Sequence, residues 1–117
     1  MSAILVAPEY WWLEAGNSTD LRIAGNVITH CAGVPIRVVA AGGNGNVAPS
    51  GAHSNIAITG NNVTGCAMPA ILVTSTAGLR LSGNTLANWT GSGRLPEEMR
   101  KAGLTELQPI IEINCTP

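Results

Sequence analysis

The amino-acid sequence predicts an all-β solenoid, a fold in which the short strands of successive coils stack in register. The first observation is a segment that occurs three times, as LRIAGNVI at residues 21–28, IAITGNNV at 56–63 and LRLSGNTL at 79–86. Each copy holds an alternating apolar pair, a Gly-Asn turn and a further apolar residue. The second observation is that residues 3–6 and 70–73 are identical, both AILV. Units this short cannot bury their apolar side chains alone, so they stack on one another.

A second strand follows the Gly-Asn turn at a fixed distance. It is IRV at residues 36–38 and ILV at 71–73, and IEI at 111–113 has the same form after a longer connection. The shortest coil, from Ile56 to Leu79, spans 23 residues. We expect about three to four coils in a single domain over residues 1–117, with loop insertions at about 7–20, 39–55 and 90–108.

The third insertion contains the signals of one short helix near the C-terminus, over residues 96–102. Pro96 stands at a first helical position and Gly103 follows the last turn. Glu97 precedes Lys101 by four residues, a spacing that supports an exposed helix. This helix is a candidate cap for the C-terminal end of the solenoid, and packing along a side of it is the alternative.

Strand alternation determines which side chains are buried. The predicted inward positions are Leu21, Ile23, Ile56, Ile58, Leu79 and Leu81, and the predicted outward positions are Arg22, Ala57 and Arg80. Stacked strands lie about 4.8 Å apart, which would bring Asn26, Asn61 and Asn84 into one column. Each amide could then bond the next asparagine and the local backbone. We therefore predict a structural asparagine ladder.

Composition limits the classes of partner. The chain is 45% hydrophobic, 3% aromatic and 11% charged, with a net charge of -1. A nucleic-acid partner is not expected, because such binding needs clustered Lys and Arg. No apolar run approaches the roughly 18 residues of a membrane helix, and no secretory signal pattern begins the chain, so the localisation stays unknown. The three cysteines lack metal-site spacing and are expected to be buried free thiols, so no metal or other cofactor is predicted.

The repeated Ile-x-Ile-x-Gly-Asn segment, the 23-residue coil and the asparagine column resemble the pectate lyase and polygalacturonase superfamily. The resemblance covers about residues 4–113 and implies a short, single-stranded, right-handed parallel β-helix. Members of the superfamily commonly cleave polysaccharides, either as hydrolases with acidic pairs or as lyases with basic residues and calcium. The resemblance therefore implies a module or terminal fragment of a carbohydrate-active β-helix protein.

The family's catalytic motifs are mostly missing. The chain has no Asp-Asp pair, no Gly-His-Gly and no Arg-Ile-Lys, and residues 17–20, NSTD, match the Asn-Thr-Asp element only loosely. A glycosidase needs two carboxyl groups about 5–9.5 Å apart, and Glu14 and Asp20 are the candidate catalytic residues. The sequence leaves open whether the protein is an enzyme.

The predicted ligand-binding residues are Tyr10, Trp11, Trp12, Glu14 and His53. Flat aromatic rings stack on sugar faces, and a nearby carboxylate binds hydroxyl groups. The insertions at 7–20 and 39–55 occupy the same connection of adjacent coils, which would place Glu14 and Asp20 near His53. The alternative for the aromatic residues is that they cover the sheet or an open end of the solenoid.

The chain is also expected to bind a second copy of itself. The ends of a parallel solenoid expose strand edges and apolar core, and the N-terminal end begins directly in apolar strand residues. We expect a homo-oligomer, most simply a dimer, with Ile4, Val6, Trp11 and Trp12 at or near the contact. Two functions therefore stand side by side: a glycan-binding module, or a catalytically inactive structural and oligomerisation remnant of a larger glycosidase or lyase.

Overall fold

The described part of the chain contains ten short strands and one helix. The computed structural model describes residues 2–8, 18–41 and 46–117. The strands are β1 (Ile4–Val6), β2 (Thr19–Ala24), β3 (Val27–Thr29), β4 (Ile36–Val38), β5 (His53–Thr59), β6 (Asn62–Thr64), β7 (Ile71–Thr74), β8 (Thr76–Ser82), β9 (Thr85–Ala87) and β10 (Ile110–Ile113), and the helix is α1 (Glu97–Lys101).

The strands form three parallel sheets, and each strand pairs with the strand three places along the chain. Sheet 1 has the order β1-β4-β7-β10, sheet 2 the order β2-β5-β8, and sheet 3 the order β3-β6-β9. The chain thus visits the three sheets in turn, and we call β1–β3 the first pass, β4–β6 the second and β7–β9 the third. The predicted all-β class with stacked parallel strands is confirmed. Strand β2 begins at Thr19 and β5 at His53, within the last residues of the insertions expected at about 7–20 and 39–55.

Aliphatic columns fill the interior between the three sheets. Ile36 lies beside Ile71 and Val38 beside Val73 in sheet 1, and all four are fully buried. Sheet 2 contributes Ile56 in the same way. The alternation predicted from the sequence holds in sheet 2, where Arg22 and Arg80 are exposed while their apolar neighbours in the strands face the core. Burial of these branched side chains is the main stabilising contribution to the stack.

Three asparagines that follow the turn glycines form a continuous hydrogen-bonded column. Asn26 Nδ2 donates to Asn61 Oδ1 over 2.9 Å, and Asn61 Nδ2 donates to Asn84 Oδ1 over 2.9 Å. The same amides also donate to backbone carbonyls, Asn61 to Ile23 and Asn84 to Ile58. The glycine before each asparagine has a positive φ, which permits the sharp bend. The ladder therefore joins the turns of three passes and satisfies backbone groups that the bends leave unpaired.

Helix α1 packs against the outer face of sheet 1 and not over an end of the stack. Met99 is fully buried, and it belongs to a second apolar cluster with Leu72 and Ile111, which sit side by side on that face. The Arg37 guanidinium on β4 donates to the Glu98 carboxylate, which fixes the helix over the sheet. Of the two placements open from the sequence, the structure has the helix along a side.

Strand β10 is shifted by one residue from the register that its sequence suggests. Ile110 pairs with Ile71 and Ile111 with Leu72, so Ile111 and Ile113 face the apolar cluster around Met99 of the helix. Glu112 pairs with Val73 and therefore occupies an inward-facing column. A one-residue slip moves every side chain to the other face of a strand, and here the slip supplies two isoleucines to Met99.

The helix contact gives a direct test of this packing. We expect Met99→Ala to lower the free energy of unfolding by about 2 kcal/mol, because a fully buried side chain leaves a cavity beside Leu72. Urea denaturation measures the change. The control is Leu104→Ala, since Leu104 is one of the exposed large apolar residues, and it should change stability by less than about 0.5 kcal/mol. Equal losses for both variants would contradict the docking of the helix.

Candidate functional site

The outer face of sheet 2 carries a group of polar side chains linked by hydrogen bonds. Its strands put Arg22, Ala57 and Arg80 in one outward column, each in register with the next. A second column contains Thr19 and Ser54, whose hydroxyl oxygens lie 2.7 Å apart. The Arg22 column follows from period-two alternation, which sends Leu21 and Ile23 into the core. The Thr19 column lies three residues earlier, on the other side of a break in that alternation. We call this surface the sheet 2 face.

Between these columns the backbone takes a left-handed conformation in every pass. Asp20, Asn55 and Gly78 have φ values of 57°, 54° and 71°, and each directly precedes the first apolar residue of its strand segment. Asp, Asn and Gly are the residues that adopt this region at least cost. The extra residue interrupts the ladder, as in a β-bulge, so that Asp20 and Asn55 stand side by side at the surface.

A chain of hydrogen bonds runs across the sheet 2 face from an acid to a base. Asn55 Nδ2 donates to Asp20 Oδ1 over 2.7 Å, and Arg80 Nη2 donates to Asn55 Oδ1 over 3.3 Å. Asn55 thus bridges the carboxylate and the guanidinium without a direct ion pair between them. All three residues are exposed. The arrangement presents hydrogen-bond acceptors at one end and donors at the other.

The arginine column has a small residue at its centre. Arg22 and Arg80 are separated by two strand spacings, about 10 Å, with the small side chain of Ala57 between them. Guanidinium groups bind carboxylates through two parallel hydrogen bonds. Two such groups beside the Asp20 and Asn55 oxygens can hold a ligand that combines carboxylate and hydroxyl groups.

The ring of His53 does not lie on this face. It is fully buried at the start of β5, where Nδ1 accepts from the Ser18 amide over 3.0 Å and Nε2 bonds the Val39 carbonyl over 2.8 Å. Because a backbone amide can only donate, Nδ1 is the acceptor and Nε2 carries the ring hydrogen. The residue that meets His53 from the chain before Asp20 is Ser18, through its backbone amide. In this conformation both ring nitrogens are occupied by protein partners.

Four predicted ligand contacts fall outside the described residues. Tyr10, Trp11, Trp12 and Glu14 belong to residues 9–17, which precede the first strand of sheet 2. Of the two candidate catalytic acids, Asp20 lies on the sheet 2 face, while Glu14 is in the undescribed part. Asp20 is the only acid within the strands β2, β5 and β8.

The cysteines behave as packing residues. No disulfide joins Cys31, Cys66 or Cys115, and Cys66 is buried with its thiol donating to the Met68 carbonyl over 2.8 Å. Burial raises the pKa of the Cys66 thiol and that of the Cys115 thiol. A raised pKa keeps a thiol protonated at neutral pH, which is the opposite of what a nucleophile needs. Trp89, in the matching place of the next pass, donates to the same Met68 carbonyl.

A hollow of about 50 Å³ lies between the helix and the chain that follows β4, lined by residues including Ala40, Glu98 and Lys101. This volume suits one or two water molecules, whereas a drug-sized ligand needs at least about 300 Å³. Across residues 2–8, 18–41 and 46–117, no group of His, Cys, Asp and Glu side chains could hold a metal ion. In the same ranges no helix has the length and apolar character to cross a membrane.

Comparison with known proteins adds no assignment. The chain matches no protein-family model, no curated protein and no solved structure. The chemistry of the sheet 2 face is therefore the basis for a functional proposal.

Sequence reasoning identified part of this face. Alternation placed Arg22, Ala57 and Arg80 outward, but Asn55 was not singled out. The signal for it was present, because Asp20, Asn55 and Gly78 occupy the same place in the three repeats. Aligning the repeats one residue further toward the N-terminus would have shown a column of residues suited to left-handed backbone.

Proposed function

We propose that this chain is a short right-handed parallel β-helix whose sheet 2 face binds oligosaccharides that carry acidic groups. The stacking of strands in three parallel sheets and the asparagine ladder support the β-helix. The right hand rests on the strong preference of strand–crossover–parallel strand units for right-handed connections. The fold type then agrees with the resemblance to carbohydrate-active β-helix proteins.

The observation that carries the binding proposal is the pair of arginines on either side of Ala57. A uronate carboxylate would accept bidentate hydrogen bonds from Arg22 or Arg80. The Asp20 carboxylate can accept hydrogen bonds from sugar hydroxyl groups, and a hydrogen bond from Asn55 holds it in place. A flat, polar and open face suits an extended oligosaccharide better than a small molecule that needs enclosure.

Binding is favoured over catalysis because the strands of sheet 2 supply one acid. Glycoside hydrolysis by the common mechanisms requires two carboxyl groups on either side of the scissile bond. Asp20 is already engaged with Asn55, and its predicted partner Glu14 lies outside the described residues. The proposed role for Asp20 is therefore to orient a ligand.

The second candidate function is the inactive structural remnant. The observation in its favour is that the buried polar side chains of the described residues serve the fold itself, as Asn61 and His53 do in joining neighbouring passes. Under this alternative the protein has no glycan ligand, and its surface arginines tolerate substitution.

The binding test compares two double variants with the same change in charge. We expect Arg22→Ala/Arg80→Ala to weaken binding of uronate-containing oligosaccharides at least tenfold, because both carboxylate contacts are lost. The control, Arg94→Ala/Arg100→Ala, removes two exposed arginines outside the strands of sheet 2 and should keep wild-type affinity. Titration calorimetry with a panel of neutral and acidic oligosaccharides measures both.

The panel also separates the two candidate functions. Absence of wild-type binding to every oligosaccharide at millimolar concentration would reject the proposal and favour the inactive remnant. Equal weakening by both double variants would show a general charge effect and would also reject the sheet 2 face. Trp12→Ala, tested on the same panel, asks whether the preceding aromatic residues add stacking contacts to that face.

A further inference from the structure

At two outward positions the first pass carries an exposed apolar side chain where the second pass carries a polar one. Val27 on β3 is 75% exposed, and its register partners in the next two passes are the polar residues Asn62 and Thr85. Leu5 on β1 is 58% exposed, and the next residue in its column is Arg37. Apolar side chains thus lie on the outer surface at the rim of the N-terminal end, where the equivalent positions of the next pass are polar.

The same end exposes strand edges and part of the core. Strands β1, β2 and β3 are each the terminal strand of their sheet, so one edge of each has no neighbouring strand in the described residues. The inward side chains Ile4, Val6 and Leu21 remain partly exposed there, although their equivalents in the second pass are fully buried. Unpaired edges with apolar inward residues readily add another strand.

The opposite end is protected against such pairing. In β10 the position that corresponds to the buried Val38 and Val73 is taken by Glu112, which is exposed. A strand stacked on β10 would bury this carboxylate in an apolar column. Inward-pointing charges on an edge strand are a known means of preventing edge-to-edge association.

We infer that the N-terminal end is the interface of a homodimer, in which the first passes of two copies meet across a two-fold axis. Glu112 disfavours the head-to-tail arrangement, because that would place its carboxylate against the apolar columns of the first pass. A two-fold contact joins the N-terminal ends of two copies and leaves Glu112 of each copy in water at the opposite end. The assembly therefore closes at two copies and does not extend into a filament.

The size of the end suits such a contact. The molecule extends over 36 × 28 × 26 Å, so an end of the stack measures at least 28 by 26 Å, an area of about 600 Å² for an ellipse. Two such ends in complete contact would bury about 1,200 Å². This reaches the lower limit of stable interfaces between proteins. The apolar rim extends the contact beyond the strand edges themselves.

The partner is a second copy because the surface complements itself. The strands β1 and β3 carry no charged residue, so nothing on them selects a partner of opposite charge. Arg22 and Asp20, the exposed charged residues of β2, are polar members of the same rim, so the apolar part of the contact comes from β1 and β3. The dimer does not depend on glycan binding, and Arg22→Ala/Arg80→Ala should leave it intact.

Light scattering coupled to size exclusion tests the dimer. The wild-type protein at micromolar concentration should have twice the mass of 12.0 kDa. Leu5→Lys/Val27→Lys should raise the dimer dissociation constant at least tenfold, because it places two charges in each half of the contact. Both residues are exposed in the monomer, so the fold should tolerate the change, and circular dichroism verifies this. The matched control is Asn62→Lys, in the column of Val27 but one pass away, which should stay dimeric.

Glu112→Val tests the direction of assembly. Removing the charge from the C-terminal edge should allow that end to associate, so that the mass rises above the dimer with increasing concentration. A wild-type monomer at 100 micromolar would overturn the inference, as would equal dissociation by Asn62→Lys and the Leu5/Val27 variant. Growth of the wild type beyond a dimer would overturn the two-fold arrangement.

Discussion

Replacing Asn61 by alanine is expected to lower the free energy of unfolding by about 4 kcal/mol. Asn61 is 1% exposed, and its side-chain oxygen Oδ1 accepts hydrogen bonds from both the backbone amide and the side-chain amide of Asn26. Its own amide donates to the Ile23 carbonyl and to Asn84 Oδ1. Alanine leaves the Asn26 backbone N–H and the Ile23 carbonyl without these partners inside the turn, at a cost of about 1–3 kcal/mol each. The melting temperature should fall by about 10 °C or more.

The neighbouring residue provides the control. Asn62→Ala removes the same side chain from an exposed outward position and should change stability by less than about 0.5 kcal/mol. Asn26→Ala and Asn84→Ala, at the ends of the ladder, should cost less than Asn61→Ala because each end has one neighbouring asparagine. Thermal unfolding followed by circular dichroism ranks the four variants, and equal melting temperatures for Asn61→Ala and Asn62→Ala would disprove a stabilising ladder.

Replacing His53 by leucine is expected to cost about 3 kcal/mol, although leucine is apolar and the site is fully buried. The imidazole joins three stretches of chain, since it lies on β5 and bonds the backbone of Ser18 and of Val39. Leucine fills much of the space but leaves the Ser18 amide and the Val39 carbonyl without these partners. Chemical denaturation measures the loss.

Two further variants identify the cause of this loss. His53→Gln keeps one donor and one acceptor and should recover part of the stability. His30→Asn changes the other histidine, which is exposed and has a φ of 54° that asparagine tolerates, and it should be nearly neutral. Full stability of His53→Leu would mean that the two backbone bonds contribute nothing, and would return His53 to the group of candidate ligand contacts.

The helix and the candidate site show how far sequence reasoning extends here. The predicted helix at residues 96–102 is observed as Glu97–Lys101, because its proline and glycine signals are local. Its position on sheet 1 depends on Met99 meeting Leu72, a contact between residues far apart in sequence. The sheet 2 face follows the same rule. Alternation places Arg22 and Arg80 outward, but the bridge through Asn55 depends on three strands being in register.

His53 and Glu112 are the residues whose roles only the folded chain decides. From the sequence, His53 belongs to a glycine-rich polar loop, yet the stack buries it because Ser18 and Val39 offer partners for both ring nitrogens. Glu112 stands between two isoleucines and would be outward if they were inward. Instead, those isoleucines pack outward against the apolar cluster around Met99. The Glu112 carboxylate therefore takes the inward-facing position beside Val73, at the exposed end of sheet 1.

The sequence by itself determined the all-β class, the repeated strands, the asparagine column and the alternation of sheet 2. These features recur at a regular spacing, so local periodicity is enough to specify them. Only the tertiary structure decided the register of β10, the side on which α1 packs, the burial of His53 and the contrast between the two ends of the stack. Each of these depends on pairing across long insertions, where the free energy of packing between distant residues selects among registers that the local sequence allows equally.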